Sequence, residues 1–109
     1  MSNENEQEKH FEPEFSSRLQ CDSVNEGEDA YLICKVAGDP MPEIQWYLED
    51  GTEITNNNDH YEISYCKETG QCQMIIKNSG PKDEMSYKCV ATNIYGTSKT
   101  LGLLIIKRK

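Results

Sequence analysis

A chain of 109 residues with a formal charge of −8 and a pI near 4.7 has room for one small domain and too few cations to neutralise a nucleic-acid backbone. Hydrophobic residues make up 36% of it, enough for one thin core, and no apolar run approaches the roughly 18–20 residues of a helical membrane span. A large enzyme, a basic nucleic-acid binder and a helix-spanning membrane protein are excluded on these counts.

Residues 1–12 are rich in Glu, poor in apolar side chains and without the apolar h-region of a secretory signal. They are expected to form a flexible acidic leader, with the folded domain over 13–106 and a basic tail at 107–109. Within the domain, Ala30, Leu32, Cys34 and Val36 alternate with Tyr31, Ile33 and Lys35. Gly38, Pro40 and Pro42 break the chain before Ile44, Trp46 and Leu48 resume a period of two. Asp50-Gly51 marks the next turn, and Tyr61, Ile63 and Tyr65 alternate after it. The Lys67–Gly70 stretch turns into Cys72, Met74 and Ile76, and a polar crossing leads to Met85, Tyr87, Cys89 and Ala91. A final run follows the Asn93–Gly96 turn and ends at Ile106. No window sustains a helical repeat, so the pattern predicts an all-β sandwich of two antiparallel sheets with seven to nine short strands.

The most specific constellation is Cys34, Trp46 and Cys89, with the cysteines 55 positions apart and the indole twelve after the first. In a two-sheet sandwich this spacing places one cysteine on each facing sheet with the indole packed over both. Tyr87, two before Cys89, stands where its hydroxyl would bond back to the backbone upstream, and Asp83 where it would cap the turn before that strand.

These residues resemble the immunoglobulin superfamily, specifically its intermediate (I-set) type, over residues 13–106. Pro13-Glu14-Phe15 is similar to the family's first strand, Glu26-Gly27-Glu28 to the following turn, and Ala91, Asn93 and Gly96 to its late hairpin. The Tyr65–Ile76 stretch resembles modules of giant muscle proteins such as titin and twitchin, and the C-terminal module of smooth-muscle myosin light chain kinase (telokin). Met85 and Ser79 depart from the pattern, standing where a small residue and an aliphatic are usual. The resemblance implies a non-catalytic structural or docking module of a larger intracellular muscle or cytoskeletal protein, the parent of which could carry a kinase. The implied partners are cytoskeletal or sarcomeric proteins or neighbouring modules, with weak self-association also open.

The alternative is an extracellular adhesion or receptor domain with a Cys34–Cys89 disulfide, which would stabilise by about 4 kcal/mol on the chain-entropy model. The odd count of five cysteines and the lack of an Asn-x-Ser/Thr sequon favour a reducing, cytoplasmic compartment with this pair as thiols. Cys66 and Cys72 flank the Gly70 turn, so a hairpin disulfide is a further possibility. No metal site is expected from Cys66, Cys72, His10 and His60, and no cofactor. With neither histidine paired to a nucleophile and no phosphate-binding glycine loop, no catalytic residue is expected either.

Function should therefore lie in a surface. If Trp46 and Cys89 point inward, Tyr47, Lys88 and Val90 point outward; the register of the last strand then decides the fate of Leu101, Leu103 and Ile105. In one register these three join Tyr47 and Val90 in an exposed apolar face that packs on a partner. In the other, slipped by one residue, some of them complete the core. The opposite sheet also turns Tyr31, Ile33 and Ile75 outward, so apolar exposure alone selects no single face.

Overall fold

The computed structural model describes residues 10–20, 22–56 and 59–108. In chain order the strands are β1 (Phe11–Ser17), β2 (Asp22–Asn25), β3 (Ala30–Asp39), β4 (Glu43–Tyr47), β5 (Glu53–Ile54), β6 (Tyr61–Cys66), β7 (Gln71–Ile76), β8 (Met85–Asn93) and β9 (Gly96–Lys107), with a 3-10 turn at Pro81–Asp83. They form two sheets, β1-β3-β7-β6 and β2-β9-β8-β4-β5, antiparallel except where β2 runs parallel to β9. This is the all-β sandwich that the alternation predicts.

The two sheets meet because each strand hides every second side chain. Ala30, Leu32, Cys34 and Val36 of β3 face Trp46, Tyr87, Cys89 and Ala91 of the other sheet across one core. The β8–β9 register pairs Tyr87 with Gly102 and Cys89 with Thr100, which sends Leu104 and Ile106 inward and Leu101, Leu103 and Ile105 outward. A slip of one residue would reverse that assignment. The chain passes from one sheet to the other between β1 and β2, where Leu19 is buried and its N–H donates to the Thr100 hydroxyl at 3.1 Å. That bond satisfies a buried hydroxyl that β9 would otherwise carry into the core unpaired.

The strand ends differ from the sequence expectation at both limits of the domain. β1 begins at Phe11, inside the expected 1–12 leader, because Phe11 pairs with Asp39 and its carbonyl accepts the Asn93 side-chain amide at 2.9 Å. β9 includes Lys107, expected in the 107–109 tail, since Lys107 pairs with Asn25 and its carbonyl accepts the Glu26 N–H. Residues 1–9, the rest of the expected leader apart from His10 to Glu12, lie outside the described residues.

The crossing before β8 is held by polar contacts. Ser79, where an aliphatic is usual, is buried and donates both its hydroxyl and its N–H to the Glu28 carbonyl, at 2.7 and 2.9 Å. Asp83 is also buried; one carboxylate oxygen accepts the Gly80 N–H at 2.9 Å and the other meets His60 Nε2 at 2.8 Å. The Tyr87 hydroxyl donates to the Asp83 carbonyl at 2.6 Å, and its burial pushes the phenol up from its ordinary value. Tyr87→Phe should therefore cost about 1–2 kcal/mol, because it strips the partner from a buried carbonyl while leaving the ring in place. Urea unfolding followed by circular dichroism measures it; an unchanged midpoint would show that the bond contributes nothing.

Candidate interaction surface

The outer face of the larger sheet carries the residues singled out for binding. Tyr47 on β4, Lys88 on β8 and Leu101 on β9 form one row across three neighbouring strands. The Lys88 ammonium lies 5.2 Å from the centre of the Tyr47 ring, a cation–π contact that holds the row together. In the next rows Leu103 pairs with Ser86, and Ile105 with Ser23 of β2, so small polar neighbours leave the aliphatic groups standing proud. Leu101 is 59% exposed, against 38% for Leu103 and 36% for Ile105. Val90 is half-buried and flanked by Gln45 and Lys99. The structure thus places Tyr47, Val90, Leu101, Leu103 and Ile105 on one sheet face, with a polar break at Lys88.

The smaller sheet exposes a shorter apolar strip, where Tyr31 and Ile33 stand out from β3 and Ile75 beside Tyr31 is half-buried. A third apolar feature, absent from the sequence reading, crowns the β8–β9 hairpin: Ile94 is 82% exposed and Tyr95 48%. Asn93 braces this tip by donating to the carbonyls of Phe11 and Pro40 and accepting the Tyr95 N–H. The sequence signals a turn at Asn93–Gly96, and turn chemistry alone says nothing about the side chains that the turn displays.

The five residues of the core constellation are all buried: Cys34, Trp46, Asp83, Tyr87 and Cys89. Trp46 and Cys89 are paired neighbours on β4 and β8. Cys72 pairs with Cys34 across β3 and β7, and the sulfurs of Cys34, Cys72 and Cys89 all lie within 4.8 Å of one another. Cys66 pairs with Gln71, one position out of step with Cys72, so the two cysteines point to opposite faces of the sheet. That register forbids the hairpin disulfide. At the surface, the Thr69 hydroxyl and the N–H groups of Thr69 and Glu68 lower the Cys66 thiol from its ordinary value.

The sequence model of the immunoglobulin I-set domain matches residues 13–106. Among curated proteins, telokin of Meleagris gallopavo is 30% identical over 94% of this chain, which spans 64% of telokin. The muscle M-line assembly protein unc-89 of Caenorhabditis elegans is 35% identical over 94% of this chain, which spans 1% of that protein. Among solved structures, the titin domains Z1Z2 in complex with telethonin superpose with a TM-score of 0.84 at 26% identity, covering 92% of this chain and 50% of that one.

Proposed function

We propose, from the premise that this chain belongs to the immunoglobulin I-set family, that it serves as a protein-docking module of a larger cytoplasmic protein of the muscle cytoskeleton. The domain family is non-catalytic, so the work of such a module lies in what its surface holds and how firmly its core resists unfolding. The chain spans 64% of telokin, 5% of the smooth-muscle myosin light chain kinase of Gallus gallus and 1% of unc-89, which supports reading it as one module of a longer parent, a kinase-bearing one included. The observation that carries the docking role is the aliphatic row Leu101, Leu103 and Ile105, exposed on β9 although the strand already turns Leu104 and Ile106 into the core. Exposed aliphatics in such a row do not stabilise the isolated domain, and their burial against a partner would be favourable by the usual area-dependent gain. The telethonin complex of the similar titin domains supports a protein as the partner class.

The double variant Leu101→Asp/Leu103→Asp tests the assignment. Both positions face outward, so the domain should keep its circular dichroism and lose no more than about 1 kcal/mol of stability. Retention of known sarcomeric proteins or of a flanking module by the immobilised chain should fall at least about tenfold, a loss of about 1.4 kcal/mol. Ile33→Asp on the opposite sheet serves as the control. Equal retention by all three chains would remove the β9 face from the proposal.

A further inference from the structure

The core of this sandwich holds three thiols where two would serve to link its sheets. Cys34 and Cys72 face each other on β3 and β7 of one sheet, and Cys89 reaches them from β8 of the other. Their three sulfurs lie within 4.8 Å of one another, all buried, with no other His, Cys, Asp or Glu among the described residues joining the group. We propose that Cys34, Cys72 and Cys89 form a three-sulfur site that captures a trivalent thiophilic metalloid, As(III), and ties the two sheets together through it.

Three features of the site select this ligand class. The donors are all sulfur, which favours soft, thiophilic centres over magnesium or calcium. Three donors without a fourth suit a three-coordinate centre, whereas structural zinc takes four ligands. Charge then discriminates among the soft ions. Among the described residues no Lys or Arg is buried, so nothing in the core offsets a net charge there. Three thiolates around a monovalent or divalent ion would leave a net negative charge in a dry interior, at a cost of several kcal/mol. Around a trivalent centre they leave none.

The chemistry balances without an oxidant. Arsenous acid, As(OH)3, exchanges its three hydroxyl groups for three sulfurs: three As–O and three S–H bonds break, three As–S bonds form, and each thiol proton leaves with a hydroxyl group as water. Arsenic stays trivalent throughout.

The full chain carrying Cys21→Ser and Cys66→Ser leaves only the three core thiols and is the form to test with arsenite. Native mass spectrometry should show one arsenic per folded chain, and thiol titration in denaturant should find all three thiols consumed. Trp46, beside Cys89, should report binding through its fluorescence. Cys72→Ala should weaken arsenite binding more than about 100-fold, beyond what losing a supporting contact costs a metal site. Cys72→Val, which keeps the volume, should do the same, so that a cavity in Cys72→Ala does not decide the outcome. The proposal fails if the folded chain takes up no arsenic, or if the urea-unfolded chain binds it equally well. It fails equally if binding survives both Cys72 variants, or if thiols are lost in pairs without added arsenic, the mark of a disulfide.

Discussion

Trp46→Ala is expected to destabilise the domain by about 3–5 kcal/mol, the range for removing a large buried aromatic side chain. Trp46 heads the fully buried side chains by volume and is only 1% exposed. It sits between Cys89 on β8 and Ile54 on β5, so its removal opens a hole in the larger sheet's inner face. Against a total stability of about 5–15 kcal/mol for a domain of this kind, much of the folding free energy would go. The melting temperature should fall by about 12 °C or more. Far-UV circular dichroism is the appropriate probe, because the variant loses the only tryptophan. Trp46→Phe supplies the comparison. The indole Nε1 is buried without a hydrogen-bond partner, a donor that weighs against the native state. Phenylalanine keeps an aromatic ring and removes that donor, so its cost should stay near 1–2 kcal/mol. Equal losses for the two variants would mean that the site does not depend on filling its volume with a ring.

How far the sequence discloses this structure depends on whether a residue's role is set by its own strand or by a neighbouring one. The inward set of β3 is visible in the alternation of Ala30, Leu32, Cys34 and Val36, because one strand's period is a local property. Cys34, Trp46 and Cys89 are visible through spacing. The outer face of β9 was open between two registers, because Thr100 to Ile106 alternates weakly: Leu101, Leu103, Leu104, Ile105 and Ile106 are all aliphatic. Only the pairing of Cys89 with Thr100 decides which of them reach solvent. Cys72 is the clearest case of a hidden role. Its own strand marks it as inward, alongside Met74 and Ile76, but its place beside Cys34 is a property of the β3–β7 register, which nothing in either segment specifies. The three-thiol group is invisible in the sequence for that reason, since position along the chain sets Cys72 beside Cys66 and the histidines rather than beside Cys34 and Cys89. Ile94 and Tyr95 escape for a different reason: the turn signals Asn93 and Gly96 describe the backbone and leave open whether the two side chains between them are buried or displayed.

Gly70→Ala is expected to cost about 3 kcal/mol or more, although the sequence marks Gly70 as an ordinary turn glycine. Its φ of +83° lies in the left-handed region, where a Cβ alone costs about 1–2 kcal/mol. The surroundings add a second penalty. A Cβ on Gly70 would come within 2.1 Å of the Val36 carbonyl oxygen, a backbone atom of β3 that cannot rotate away. The same two residues share a hydrogen bond, Val36 N–H to Gly70 carbonyl at 2.9 Å, so relieving the clash means separating the pair and leaving buried groups unpaired, worth about a further 1–3 kcal/mol. Gly51 isolates the two contributions. Its φ of +94° is equally left-handed, yet nothing lies within 4 Å of the place a Cβ would occupy. Gly51→Ala should therefore show the conformational penalty alone, about 1–2 kcal/mol. The difference between the two unfolding midpoints measures the contact with β3. Since Gly70 leads directly into β7 and Cys72 lies two residues on, a shift here would also displace Cys72 from Cys34. Gly70→Ala should thus weaken arsenite uptake along with stability, whereas Gly51→Ala, in the turn before β5, should lower stability and leave uptake intact.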